Sequence, residues 1–163
     1  MRRTVKQEKI THPPKCQELK SASWHFFCGF FVNLIKKSLT TRFGLIQQIN
    51  FTYGNNCFDA CAVLMRRLFE VLLVLSYQNK GIEADITKPD GSHKMLEGIV
   101  KDAVQNKALG VPARISKNFD AFREVGNNSA HSITYTAGKL DIDNIARDYR
   151  VMMEDLYNRA GLM

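Results

Sequence analysis

The sequence lacks an apolar run long enough to cross a membrane. A membrane-spanning helix needs about 20 apolar residues, whereas the aromatic run WHFFCGFFVNLI, residues 24–35, is shorter and is interrupted by His25, Gly29 and Asn33. As a secretion signal, this run would follow an overlong leader with acidic residues, and no clear small-residue cleavage site accompanies it. We therefore expect no membrane insertion, a cytoplasmic location, and packing of residues 24–35 onto the domain that follows.

Cysteine is scarce, with four residues in 163, and their spacing is not that of a disulfide framework in a small secreted domain. Cys57 and Cys61 are four positions apart in an apolar segment. This spacing predicts two thiols on one helix face, buried and reduced.

A metal centre is not indicated either. One set of side chains could be counted as zinc ligands: His12, Cys16, His25 and Cys28. Zinc sites more commonly use closely paired cysteines on tight turns. The sequence also lacks a glycine-rich phosphate loop and a recognisable pair of catalytic carboxylates. We therefore expect neither a metal nor another cofactor.

Acidic residues are rare in the first third of the chain. Residues 1–50 hold nine Lys or Arg and two Asp or Glu, whereas residues 51–163 hold fourteen of each sign. The net charge of +7 therefore belongs to the N-terminal part. A basic arm suits contact with nucleic acid, an acidic partner or an anionic membrane, and a solvated tail has the same composition. We interpret residues 1–41 as a basic, partly irregular segment and residues 42–163 as the folded domain.

Helical periodicity dominates that domain. Residues 55–81 are apolar nearly all round, which is typical of a central helix, and Gly81 supplies its stop. Further helices are predicted from Ser92, from Ser116 and from Asp141, each of these residues acting as a cap or start, and Gly161 ends the last of them. No convincing run of strands is present, so we expect an all-α bundle of four to five helices.

The predicted central helix carries one polar stripe. At about 100° per residue, Asp59, Arg66 and Glu70 fall within about 40° of one another, and Arg67 lies beside them. Arg66 and Glu70 have the spacing of an intrahelical ion pair, which could also order a cleft.

The sharpest functional signal is FREVGNNSAH, residues 122–131. If a helix from Ser116 continues through it, Arg123, Asn127 and His131 are spaced i, i+4 and i+8. They would then lie within about 80° on one side and rise about 12 Å along the axis. Such a line presents a guanidinium, an amide and an imidazole to one groove.

Poor helix formers interrupt the same stretch. Gly126 and Asn128 each disfavour a helix by about 0.5–1 kcal/mol relative to alanine. We expect a bend, a close helix crossing at Gly126, or a fresh helix start capped by Asn128 or Ser129. Each choice sets a different distance between the guanidinium and the imidazole.

These two segments together resemble the domain of unknown function family 4145, a branch of the HEPN-like helical superfamily. DACAVLMRRLFEVLL, residues 59–73, is similar to the family's long helix with paired arginines and a following glutamate. FREVGNNSAH matches its arginine, Gly-Asn and Ala-His pattern. The resemblance covers about residues 42–162 and implies a HEPN-like fold.

Active HEPN proteins are metal-independent ribonucleases with a composite site at a dimer interface. The resemblance therefore implies RNA as a partner, a homodimer, and a stress or antiviral defence setting, within a larger assembly. His131 would be the general acid or base, Arg123 would stabilise phosphate charge, and Asn127 would orient the imidazole or donate to phosphate. We expect binding or supporting roles for four further residues: Arg66, Arg67, Glu70 and Asn128.

Two alternatives remain open. Seven residues separate Arg123 from His131, more than in the usual nuclease signature of the superfamily, and Glu124 follows the arginine. The same groove could then be a non-catalytic binding module for a nucleotide, nucleic acid or protein. In a purely structural role, His131 would bond a backbone carbonyl, Arg123 would bridge to an acid, and the asparagines would cap helix ends.

Overall fold

The structure, a computed structural model, describes residues 40–162, with side chains from residue 44 onwards. The predictions for the basic arm, the aromatic run and the four counted zinc ligands lie outside the described residues. Six α-helices are present in this range: α1 (Thr40–Gly54), α2 (Phe58–Asn79), α3 (Leu96–Gln105), α4 (Ala113–Ser116), α5 (Phe119–His131) and α6 (Lys139–Arg159).

The predicted all-α bundle is confirmed. Between residues 40 and 162 there is no strand, only an isolated bridge between Thr87 and His93, and a 3₁₀ turn spans Glu83–Ile86. Five of the helices have ten residues or more, and α4 is a single turn. None of the described helices is long and apolar enough to span a bilayer.

Helix α2 is the centre of the bundle, because α1, α5 and α6 all pack against it. Its buried side chains are spread around the helix: Cys61, Ala62, Met65, Leu68, Phe69, Leu72, Leu73, Ser76 and Tyr77. Toward α6, the buried Tyr149 hydroxyl donates to the Met65 carbonyl at 2.9 Å. Toward α5, the rings of Phe69 and Phe119 lie 5.1 Å apart. The nearly all-round apolar sequence of α2 follows from these several neighbours.

Three predicted helix starts are wrong because local turns use the residues differently. Ser92 closes a turn in which its amide and hydroxyl both donate to Asp90, and α3 begins only at Leu96. Ser116 ends the short helix α4 instead of starting α5. Asp141 lies inside α6, where its carboxylate accepts the Gly138 N–H at 2.7 Å. The predicted stops at Gly81 and Gly161 are confirmed, with φ values of 69° and 67°.

Helix α5 crosses α2 at Gly126. A Cβ atom placed on Gly126 would lie 2.9 Å from Cδ of Arg66, still closer to its Cβ, and 3.0 Å from the Ala62 carbonyl oxygen. The α2 backbone and the Arg66 stem therefore occupy the space that a side chain at position 126 would need. Of the options predicted for Gly126, the close helix crossing is confirmed.

Replacing Gly126 by alanine is expected to lower the free energy of unfolding by about 1–3 kcal/mol, because the added methyl group overpacks the α2/α5 crossing. Gly98, inside α3, is the matched control. Its added Cβ would meet nothing closer than Cβ of Lys94 at 3.4 Å, so alanine there should be neutral or stabilising by about 0.5–1 kcal/mol. Urea unfolding of both variants checks this, and equal effects would contradict the assigned crossing.

The two described cysteines differ in exposure. Cys61 is buried, and its Sγ lies 3.7 Å from the Ile49 carbonyl oxygen of α1. Burial raises the pKa of the Cys61 thiol to about 11. Cys57 precedes α2 and is exposed, so the prediction of two buried thiols is wrong for this residue.

Alkylation of the native protein with iodoacetamide at pH 8 should modify Cys57 at least about 100-fold faster than Cys61. Only the thiolate reacts, and a thiol with a pKa near 11 is about one part in a thousand ionised at this pH. Peptide mass spectrometry over time measures both sites. In urea the two rates should converge, and similar rates in the native protein would contradict the burial of Cys61.

Candidate functional site

The motif FREVGNNSAH lies within one helix. Helix α5 runs without interruption from Phe119 to His131, and the Ser132 N–H closes it by donating to the Asn128 carbonyl at 3.0 Å. The predicted bend or fresh start at Asn128 or Ser129 is therefore wrong. The helical spacing of Arg123, Asn127 and His131 places them within about 80° on one side of α5, over about 12 Å.

Helices α2 and α5 are antiparallel. The Phe69 ring meets Phe119, Ala62 meets Gly126, and Asp59 at the start of α2 reaches Ala137 beyond the end of α5. In such a pair, residues about 100° past the contact point on each helix lie on the same side of the crossing.

Arg67 lies about 100° past the contact residue Arg66 on α2, and Asn127 lies about 100° past the contact residue Gly126 on α5, so both are on the same side of the crossing. We call the surface between α2 and α5 on this side the α2/α5 groove. It is bordered by the residues predicted from the sequence: Arg66, Arg67 and Glu70 on α2, and Arg123, Asn127 and His131 on α5.

Arg123 is paired with acids of its own helix. Its side chain is 16% exposed, with Nε 3.2 Å from Asp120 and a terminal nitrogen 3.7 Å from Glu124. Lys101 and, more weakly, Arg123 also hold the pKa of the Glu97 carboxyl below its usual value, so Arg123 lies near α3 as well. Its positive charge is therefore compensated locally.

His131 has the opposite environment. It is exposed at the last position of α5 and makes no hydrogen bond or ion pair to any of residues 44–162. His93, the other described histidine, lies with Nε2 2.9 Å from Glu83, and Gln78 and His93 together hold the pKa of the Glu83 carboxyl below its usual value. Of these two imidazoles, only that of His131 has no hydrogen-bond partner among residues 44–162.

The asparagines of the motif do not act as caps. Asn127 is half-buried and Asn128 is exposed, and neither side chain is hydrogen-bonded to another described residue. After His131, the Ser132 hydroxyl accepts hydrogen bonds from the N–H groups of Thr134 and Tyr135, at 3.3 and 3.1 Å. The side-chain amides of Asn127 and Asn128 therefore remain available to the groove or its rim.

The predicted Arg66–Glu70 ion pair is confirmed, although it is long. Nη1 of Arg66 lies 3.7 Å from the Glu70 carboxylate, whereas Nε of Arg66 is buried and has no hydrogen-bond acceptor among the described residues. Arg67 is exposed. The groove thus contains three arginines in different states: Arg123 is paired with two acids, Arg66 is incompletely bonded, and Arg67 is in solvent.

Sequence reasoning missed how the segment after His131 is held. The Asp59 carboxylate accepts the N–H of Ala137 at 2.8 Å, which ties this segment to the first turn of α2. The Asp141 carboxylate accepts the N–H of Gly138, and burial together with this carboxylate raises the pKa of Tyr135. An acid in the first turn of a helix is already explained by the helix dipole, so the sequence gives no separate signal of a long-range role for Asp59.

Within the described part of the chain, no three histidine, cysteine or acidic side chains are grouped so that they could hold a metal ion. Comparison with protein families, curated proteins and solved structures finds no match to this chain. The HEPN-like assignment therefore stays a prediction.

Replacing Asp59 by alanine should lower the free energy of unfolding by about 1.5–3 kcal/mol, the usual contribution of a hydrogen bond to a charged group. Asparagine is the matched variant, because its side-chain oxygen can still accept the Ala137 N–H and should retain part of the stability. Urea unfolding gives the energies, and amide hydrogen exchange reports on Ala137 itself. Unchanged protection of the Ala137 amide from hydrogen exchange in Asp59→Ala would contradict the assigned hydrogen bond.

Proposed function

We propose that this chain is a HEPN-like domain that binds single-stranded RNA in the α2/α5 groove and cleaves it without a metal ion. The observation that carries the proposal is the exposed imidazole of His131, which has no hydrogen-bond partner among residues 44–162 and lies on the same side of one helix as Asn127 and Arg123. A stress or antiviral defence role and a larger defence assembly belong to the proposal through the family resemblance alone. The cytoplasmic location expected from the sequence is also part of the proposal.

The proposed chemistry needs only proton transfer and charge stabilisation. In RNA, the 2′-hydroxyl attacks the neighbouring phosphorus, its proton passes to a base, and the departing 5′-oxygen receives a proton from an acid. An imidazole suits both proton transfers near neutral pH. Guanidinium and amide N–H groups stabilise the charge that develops on the non-bridging oxygens. Each chain supplies one His131 to its groove, and a second copy would supply the second imidazole.

The surface beside His131 supports a homodimer. Ile133, two residues after His131, is fully exposed, and Leu140, in the first turn of α6, is 73% exposed. Burial of both side chains in an interface would contribute to the stability of a dimer. A twofold axis near them would bring two His131 side chains toward one RNA strand.

A non-catalytic binding module is the second candidate. It is favoured by Asp120 and Glu124, which compensate the charge of Arg123 and leave it less able to stabilise a phosphate. In that case the same groove would hold a nucleotide, nucleic acid or a protein partner without changing it.

The substitution His131→Ala is expected to lower RNA cleavage by about 100-fold or more, since general acid–base catalysis contributes about 10²–10⁴-fold. The assay uses end-labelled single-stranded RNA in EDTA, with circular dichroism confirming the fold. His93→Ala is the matched control, because it removes a described imidazole that is bonded to Glu83, and it should cleave at the wild-type rate.

The two candidates give different results in this assay. If wild type and His131→Ala both bind RNA and leave it intact, the enzyme is excluded and the binding module remains. Equal loss of cleavage in both histidine variants would remove His131 from its proposed role.

A further inference from the structure

We infer that Arg66, on α2, is the residue that binds the RNA phosphate in the α2/α5 groove, and that Arg123 is a positioning residue for α5. This inference rests on the proposed function, because it assigns the anion-binding group within the same site. The reasons are the hydrogen-bonding state of the arginines and the packing of the Arg66 stem.

Three arginines of the bundle form a graded series. Arg159 is fully bonded: its nitrogens donate to Asp155 at 2.5 and 3.2 Å and to the Leu109 carbonyl at 2.6 Å. Arg123 has two carboxylate neighbours, at 3.2 and 3.7 Å. Arg66 has one ion-pair partner, at 3.7 Å.

The Nε of Arg66 adds to this difference, because it is buried without an acceptor among the described residues. A buried donor without an acceptor is unfavourable. Rotation of the guanidinium toward a bound anion would give this donor a partner, whereas Arg123 would first have to leave Asp120. Arginine binds phosphate through two parallel N–H groups, and Nε with a terminal nitrogen is one such pair.

The packing of Arg66 fixes where its guanidinium can reach. The Cβ and Cδ atoms of Arg66 lie against the Gly126 backbone in the middle of the motif helix. Its ion pair with Glu70 directs the head toward the side of the crossing that carries Arg67 and Asn127. Because the two helices are antiparallel, an anion bound there lies between α2 and the part of α5 that carries Arg123 and Asn127.

The charges facing this position set the strength of binding. Glu70, Asp120 and Glu124 offset much of the positive charge of the three groove arginines. The groove therefore recognises phosphate through a local, bonded contact and has no strong positive field. Its RNA affinity should show a shallow dependence on salt. The logarithm of the association constant should fall by about 0.7 per unit of the logarithm of the salt concentration for each phosphate contacted.

The experiment compares three single substitutions that remove the same charge, Arg66→Gln, Arg67→Gln and Arg123→Gln. A short single-stranded RNA is titrated by fluorescence anisotropy at several NaCl concentrations, and pyrophosphate is titrated separately by calorimetry. We expect Arg66→Gln to weaken RNA binding at least about tenfold and to reduce the salt slope by about 0.7. Arg67→Gln and Arg123→Gln should each weaken it less than about threefold, and Arg123→Gln should lower Tm more than it changes Kd.

Arg66→Lys keeps the aliphatic stem and the charge, so it guards against loss of packing in Arg66→Gln. It should fold like wild type and still bind RNA several-fold more weakly, since lysine cannot form the paired contact. Wild-type affinity in Arg66→Lys and Arg66→Gln, or a tenfold loss in Arg123→Gln alone, would overturn the assignment to Arg66.

The pyrophosphate titration separates this inference from the proposed function. If wild type binds pyrophosphate through Arg66 but does not bind RNA, the anion site stands and the RNA function falls. If RNA binds with equal affinity to wild type and Arg66→Gln, the function stands and the role of Arg66 falls. If neither probe binds the wild-type protein, both are wrong.

Discussion

The contact between the Gly126 backbone and the Arg66 stem is the constraint on which the site depends. It allows α5 to lie directly on α2, with the Ala62 carbonyl and the Arg66 side chain in the space that any other residue at position 126 would fill. The motif helix is thereby held against the central helix of the bundle, and its polar side borders a groove whose other wall is the charged stripe of α2. A rigid element at the core carries the candidate chemistry, which is what precise placement of side chains requires.

The existence and type of four of the six described helices follow from the sequence, whereas their starts do not, and α1 and α4 were not predicted individually. Apolar periodicity records burial over many residues, and it identified α2, α3, α5 and α6. A helix start depends on a single local competition. Ser92 is used by the Asp90 turn, and Asp141 serves from inside α6 because glycine at 138 holds the cap position. The helix stops at Gly81 and Gly161 were simpler to predict, because a positive φ strongly favours glycine.

The candidate site could be predicted in part for the same reason. Helical spacing alone places Arg123, Asn127 and His131 on one side, and Arg66 beside Glu70. Which arginine is paired and which is under-bonded depends on the rotamers of the side chains along each helix, and for Arg66 also on the packing of its stem against Gly126, about 60 positions away in the sequence. The tie between Asp59 and Ala137 is likewise a contact between distant residues, and no local pattern contains it.

The central position of α2 has a consequence for biosynthesis. Its apolar circumference is covered by α1 on one side, but α5 is complete only after some 50 further residues have left the ribosome, and α6 only after some 80. Until then the nascent chain exposes the apolar surface of α2 that α5 and α6 later bury. Apolar surface exposed in this way is prone to aggregation until the rest of the domain has been made.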